Sequence, residues 1–140
     1  LMRHDGSEHG DIRADYPGGW EGDKVNAFTG EGMSDAAKDM QQYISKIQNW
    51  RKSADVIHHG KLMHFVPEDG TYTYFRYNKD EAVMVILNKN TEAKTIKTDR
   101  FNEVIDGYKS GKEIISGNTI PDISEVTVPA KSAVIVELNK

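Results

Sequence analysis

The sequence contains no cysteine, which excludes a disulfide framework, thiolate metal sites and cysteine nucleophiles together, and leaves the redox compartment open. It has no run approaching the roughly 18 consecutive apolar residues of a membrane span, so a membrane is not an expected partner. Nor is there an excess of positive charge: 18 basic against 22 acidic side chains give a formal charge of -4. That balance builds no overall positive field to release counterions from a polyphosphate, which argues against nucleic acid as a partner. Internal repeats and low-complexity tracts are lacking as well. What remains is 140 residues with 37% apolar and 29% charged side chains. This fits one ordinary globular domain rather than a disordered tail or a collagen-like repeat.

Leu1-Met2 runs straight into Arg3-His4-Asp5-Gly6, with no charged leader, apolar h-region or initiator methionine in first place, so the expectation is a fragment excised from a longer protein. From Leu1 to Gly32, Gly6, Gly10, Gly18, Gly19, Gly22, Gly30 and Gly32 recur among few aliphatics, a density that favours irregular backbone. A loop of that length is uncommon in a compact domain unless it lines a site or rests on something else, and Tyr16, Trp20 and Phe28 need cover. Ser34 then caps an expected helix whose first turn holds Asp35. Its apolar positions are Ala36, Ala37, Met40, Tyr43, Ile44, Ile47 and Trp50, with Lys38, Asp39, Gln42, Lys46 and Asn49 opposite. The pattern fades after Arg51, a short turn is expected over Ala54 to His59, and Gly60 punctuates the chain.

Beyond Gly60 the period changes to two. Lys61 to Val66, Thr71 to Tyr77 and Ala82 to Leu87 read as strands of consecutive hairpins, separated by Pro67-Glu68-Asp69-Gly70 and Asn78-Lys79-Asp80. The third of these is apolar throughout, the pattern of a central strand covered on both faces. Further short strands are expected at Lys94 to Thr98, Lys112 to Ser116, Glu125 to Val128 and Ala133 to Leu138. Short strands with turns between them point to a mainly β fold, an antiparallel β-sandwich preceded by a loop and one amphipathic α-helix.

Several residue groups invite a chemical reading, and most dissolve on inspection. His4, Asp5, Glu8, His9 and Asp11 gather potential metal ligands, but a calcium loop begun at Asp5 ends on Tyr16 where a bidentate carboxylate belongs. No metal site is assigned and no cofactor is expected; elemental analysis of purified protein settles the contrary reading of a small metal-dependent protein. His58 and His59 are adjacent, so their side chains diverge, and a helix-end pair favoured by the local dipole explains them. No serine lies in a nucleophile-elbow pattern. Gly107 to Lys112 lacks the phosphate-loop spacing and reads as a turn between strands. In the aromatic strand Tyr72 and Tyr74 share one face and Phe75 and Tyr77 the other, so at least one pair is expected to be buried. The outward pair is the basis of a second hypothesis, a non-catalytic carbohydrate-binding β-sandwich module.

The most informative stretch is Asp11-Ile12-Arg13-Ala14-Asp15-Tyr16-Pro17-Gly18-Gly19-Trp20, followed by Asn26-Ala27-Phe28. Arg13 and Asp15 sit two apart, so an extended backbone aims both the same way, while Pro17-Gly18-Gly19 favours a turn that presents Trp20. A charged pair beside an indole suits a sugar. Equally, an Arg13 and Asp15 ion pair can pin a loop with Trp20 packed beneath it.

This stretch resembles the segment after the eighth barrel strand in enzymes of the α-amylase family, glycoside hydrolase family 13, and in particular its neopullulanase and cyclomaltodextrinase branch. The helix to Trp50-Arg51-Lys52 resembles the last barrel helix, Val56 to Lys61 the entry to the C-terminal sandwich, and Pro129 to Leu138 its closing strand. The resemblance implies that residues 1–59 are the end of a (β/α)8 barrel and residues 60–140 a Greek-key C-terminal sandwich. It implies a parent that cleaves α-1,4-glucosidic bonds of starch-derived oligosaccharides with retention, using two carboxyl groups about 5 Å apart. Those carboxylates lie on earlier barrel strands, so no catalytic residue is assigned and the fragment alone is expected to be inactive. His4-Asp5 superficially matches the family's histidine and aspartate motif but lacks its preceding apolar strand. By the same resemblance Arg13, Asp15 and Trp20 are substrate-binding candidates on a βα-loop at the C-terminal barrel face. The implied partners are an α-glucan oligosaccharide and the catalytic barrel of the parent chain. The resemblance points to a periplasmic or secreted bacterial parent. Excision is expected to strip Met40, Ile44 and Ile47 of barrel contacts, giving self-association or a mobile lead segment unless the sandwich covers them.

Overall fold

A computed structural model describes residues 15–140. The chain divides into two compact units, residues 1–44 and 45–140, and the division falls inside the first helix. In the first unit, irregular backbone leads to helix α1 (Asp35–Ser53). The Ser34 hydroxyl accepts the Ala37 N–H at 3.3 Å and Asp35 sits in the first turn, so capping oxygen and negative charge both meet the free amides of the helix start. Arg51 and Lys52 complement the other end.

The second unit begins with the rest of α1 and a short helix α2 (Asp55–His59). Eight strands follow: β1 (Lys61–His64), β2 (Thr71–Tyr77), β3 (Ala82–Asn88), β4 (Lys94–Lys97), β5 (Ser110–Glu113), β6 (Thr119–Ile120), β7 (Glu125–Val128) and β8 (Ser132–Asn139). They form a six-stranded sheet in the order β1-β2-β3-β8-β5-β6 and a two-stranded sheet β4-β7. Every pairing is antiparallel.

Two-residue periodicity decides which side chains meet. Phe75, Met84, Ile86, Val134 and Val136 project from the large sheet onto Val126 and Val128 of β7, and this is the main core. Phe75, Met84, Ile86, Val128 and Val136 are fully buried, each worth about 1.5–3 kcal/mol relative to an exposed side chain. The opposite face of the large sheet carries Val83, Val85 and Ile135, which pack against Val56, Ile47, Trp50 and Ile57 from the helices. Strand β3 is therefore buried on both faces, as its unbroken apolar run requires, until Leu87 emerges at 40% exposure. In the indole of Trp50, Nε1–H donates to Glu137 Oε1 at 2.5 Å, tying α1 to β8.

One buried amide joins the loop after β3 to the turn after β7. Asn88 Nδ2 donates to the carbonyls of Glu92, Val128 and Pro129 at 2.9, 3.2 and 3.0 Å, and Asn88 Oδ1 accepts from Asn90 N at 2.9 Å. Thr98 does a similar service at the other end, donating to Ile123 O at 2.7 Å. Both satisfy carbonyls that the strand ladders leave open at the sheet ends.

The expected strands β2 and β7 have the observed limits, and the others move for local reasons. Strand β1 stops at His64, and just beyond it Phe65, whose N–H donates to Thr73 O at 3.1 Å, joins Phe75 and Phe101 with ring centroids 5.8 and 4.8 Å away. Strand β5 covers Ser110–Glu113 rather than Lys112 to Ser116. There the Glu113 carboxylate takes the Ile115 and Ser116 amides and folds the chain into a turn. The two-residue β6 and the segment of 3-10 turn (Asp99–Phe101) and helix α3 (Asn102–Ile105) are absent from the sequence reading. The latter had a legible signal: Phe101, Val104 and Ile105 are spaced as one helical face, and all three are buried. No helix among the described residues is long and apolar enough to cross a membrane.

Candidate functional site

Of the three residues singled out on the glycine-rich loop, Arg13 lies outside the described residues, as does the His4 to Asp11 group. Asp15 is exposed, and Trp20 is 70% exposed. The loop around Trp20 is held by its own polar side chains. Asp23 Oδ2 accepts the Gly18 and Trp20 amides at 2.8 and 3.2 Å, and Asp23 N–H returns to the Trp20 carbonyl at 3.3 Å. Asn26 Oδ1 accepts the Phe28 and Thr29 amides at 2.9 and 3.1 Å. The Asn26 N–H donates to Glu31 O at 2.8 Å, Ala27 N–H to Pro17 O at 3.0 Å, and Gln41 Nε2 reaches back from α1 to Ala27 O at 2.8 Å.

The bonds accepted by Asp23 Oδ2 and Asn26 Oδ1 are short-range Asx-type closures, in which a side-chain oxygen replaces the carbonyl that a helix or sheet would offer. They also explain Gly18, whose φ of +92° is left-handed and whose missing Cβ leaves room for the Asn26 side chain; a methyl there would lie 2.6 Å from Asn26 Oδ1. The backbone is thus fixed from within while the indole of Trp20 stays free, so Trp20 is presented rather than packed beneath the loop. Tyr16 and Phe28 meet edge to face with centroids 5.3 Å apart and remain mostly exposed. Beside them an open apolar hollow of about 740 Å³ is lined by Tyr16, Pro17, Val25, Met33, Met40 and Ile44. An exposed indole on a stiff loop offers a flat apolar face to a sugar ring at little entropic cost. Asp23 and Asn26 carry this arrangement. Their signal in the sequence is the placing of Asp and Asn among glycines, which marks Asx turns.

The other sequence candidates are dispersed. His58 Nε2 lies 2.8 Å from the Arg51 carbonyl, and His59 Nδ1 2.8 Å from Asp55 Oδ1, so each histidine has a local helix-end partner. Among the described residues no three histidine, aspartate or glutamate side chains converge as a metal site. Gly107, at φ +86°, makes a turn, and Ser110 to Lys112 enter β5. In β2, Phe75 is fully buried and Tyr77 packs on the same core, while Tyr74 is half-buried beneath the helices. Burial raises the Tyr74 pKa above its ordinary value, with the neighbouring Tyr72 acting in the same direction. The Tyr72 and Tyr74 rings lie 5.7 Å apart and are inclined by 35°.

The family described as the cyclo-malto-dextrinase C-terminal domain matches residues 62–137, more than half of the chain. Among solved structures, the α-amylase of Geobacillus thermoleovorans complexed with acarbose is similar with a TM-score of 0.64 over 79% of this chain and 24% of that chain, at 16% identity. An Anoxybacillus α-amylase reaches 0.59 over 76% and 23%, at 14% identity. A mutant trehalose-6-phosphate hydrolase of Bacillus licheniformis reaches 0.55 over 68% and 17%, at 26% identity. The two amylases share the fold at these identities. The chain spans about a quarter or less of each of these structures.

Proposed function

The chain belongs to the cyclo-malto-dextrinase C-terminal domain family, and from that membership we propose that it is the C-terminal portion of an α-glucan hydrolase acting on α-1,4-glucosidic bonds. In this reading residues 1–59 supply the last βα-loop and last helix of a (β/α)8 barrel, and residues 60–140 form the sandwich that steadies it. The catalytic carboxylates belong to the part of the parent outside this chain, and the chain by itself is a structural, inactive module. The observation that carries the proposal is the family match laid over a two-sheet sandwich whose interior is filled by its own side chains, from Phe75 to Val136.

Arg13, Asp15 and Trp20 then border the substrate cleft, with Trp20 stacking on a glucose ring from a loop braced by Asp23 and Asn26. A stacking contact is worth about 0.5–1.5 kcal/mol, or roughly two- to tenfold in binding. In the complete parent enzyme Trp20→Ala should raise KM for a maltooligosaccharide or cyclodextrin by that factor, with Trp20→Phe intermediate; unchanged kinetics would refute the role. The 140-residue chain should release no reducing sugar from soluble amylose, and measurable turnover would end the reading of an inactive module. Should titration calorimetry show the isolated chain binding a cyclodextrin, the carbohydrate-binding-module reading takes its place.

A further inference from the structure

The large sheet is six strands wide and the small sheet two, so part of the inner face of β2 is left to loops to close. An open cavity of about 270 Å³ lies there, lined on its polar side by Thr71 and Thr73 of β2, Asp69, Lys97 and Asp99. Phe65 and Phe101 line its apolar side.

Strand β2 departs from the core pattern at this place. Its buried alternate positions are Thr71, Thr73 and Phe75, where β3 and β8 offer Met84, Ile86, Val134 and Val136. The Thr71 hydroxyl is engaged locally, donating to Glu68 O at 2.8 Å. Thr73 is only 5% exposed, yet its hydroxyl makes no hydrogen bond among the described residues. It is not sealed off as Arg76 Nε–H is, and the space that Thr73 lines is the cavity. A buried hydroxyl left open costs free energy that a polar partner in the cavity recovers.

The walls are held in shape from outside the cavity. Arg100 pairs through Nη1 with Glu68 and donates through Nη2 to Val66 O at 3.3 Å, while Asn90 Nδ2 donates to Asp69 O at 2.8 Å. A preformed wall loses little freedom when a ligand enters. Lys97, Asp69 and Asp99 take part in no ion pair among the described residues, so a donor and two acceptors stand ready beside Thr73. An anion would meet the carboxylates of Glu68, Asp69 and Asp99, a cation would meet Lys97 and Arg100, and a wholly apolar molecule would strand them all. A sugar ring gives and accepts hydrogen bonds at its edge and is apolar on its face, which matches both sides of the lining. The volume is just below the roughly 300–1,000 Å³ of sites for larger small molecules, which leaves room for one ring.

We propose that this cavity is a sugar subsite built from the sandwich alone, which takes one pyranose ring at the end of a linear oligosaccharide. Thr73 and Lys97 donate to the ring hydroxyls, Asp69 and Asp99 accept from them, and the apolar face of the ring meets Phe65 and Phe101. A cyclodextrin has no chain end, and its closed circle does not enter. That the ring is the glucose of an α-glucan rests on the function proposed above; the fit of the cavity to a polyol does not.

The test is a titration of the isotope-labelled 140-residue chain with maltose, followed by amide chemical shifts. The expected result is saturable shifts at Thr71, Thr73, Lys97 and Arg100 with a Kd of about 1–10 mM. Cyclodextrin at the same glucose concentration should leave those amides unmoved, and so should sodium sulfate. Thr73→Val keeps the shape without the hydroxyl and should weaken maltose binding about two- to tenfold. Lys97→Ala, at an exposed position, should weaken it at least about twofold, and is the deciding variant if Thr73→Val loses the dispersed spectrum of a folded chain. No shifts, shifts centred on Tyr72 and Tyr74 instead, an equal response to cyclodextrin or sulfate, or an affinity indifferent to the deciding variant overturns the proposal. Saturable cavity shifts with a kinetically silent Trp20→Ala in the parent keep this subsite and remove the cleft role. The converse pattern removes the subsite alone.

Discussion

Replacing Glu113 by glutamine tests how much one carboxylate does for the sandwich. Glu113 ends β5 with only 9% of its surface exposed, and its oxygens accept N–H groups of Ile115 at 2.9 Å, Ser116 at 2.5 Å and Ile135 at 3.5 Å. Burial by itself pushes its pKa up, but the bonds from Ser116, Ile115 and Ile135 outweigh that and hold the carboxyl below its ordinary value. Glutamine keeps one acceptor oxygen and sets an NH2 donor where the other stood, so the charge goes and either the Ile115 or the Ser116 amide loses its acceptor. A bond to a charged group contributes about 1.5–3 kcal/mol and a neutral one about 0.5–1.5, and the 3.5 Å contact adds little. With two good bonds affected, Glu113→Gln should cost about 1–3 kcal/mol at pH 7. Because the folded pKa is depressed, this stabilisation is complete above the unfolded carboxylate value of about 4.3 and is lost as pH falls through the folded pKa. Urea unfolding of the 140-residue chain and of Glu113→Gln at several pH values from 7 to 3 measures it. The difference should be largest at pH 7 and shrink as the solution is acidified. A difference independent of pH, or one under about 0.5 kcal/mol at pH 7, refutes the reasoning.

Two further substitutions probe the polar closures. Asn88→Ala strips partners from the Glu92, Val128 and Pro129 carbonyls and from Asn90 N–H, and should cost about 2–4 kcal/mol, visible as a lower thermal midpoint; an unchanged midpoint shows that water replaces the amide without loss. Gly18→Ala forces a methyl group against Asn26 at a left-handed φ, and should speed hydrogen exchange at the Phe28 and Thr29 amides while leaving the amides of β3 untouched. Equal exchange at Phe28 and Thr29 in both proteins would contradict the role given to Asn26.

The elements with strong local signals were legible from the chain alone. The helix with Ser34 at its cap, the aromatic strand from Thr71 to Tyr77 and the apolar run from Ala82 each announce their period and their termini. Trp20 on its Pro-Gly-Gly turn was legible as a candidate, but the choice between a packed and a presented indole was not. That choice depends on Asp23 closing the turn by a side-chain bond, and an aspartate beside glycines does not declare which amides it will take. The shift of β5 has the same origin, since the Glu113 carboxylate closes a turn on the Ile115 and Ser116 amides that the residue pattern does not declare. The helix around Phe101 was missed because its Phe, Val and Ile are strand formers as readily as helix formers, and only the core between the two sheets selects the compact form.

What the sequence determined by itself, then, is periodicity and punctuation: where the chain turns, which side chains share a face, and that β3 must be covered twice. The tertiary structure alone decided what covers it, because the helices on one face and β7 on the other reach it from distant parts of the chain. It also decided that Arg76 Nε–H is buried without an acceptor among the described residues. Period and turn chemistry are set by residues a few positions apart, whereas cover and charge compensation depend on groups that only packing brings within reach.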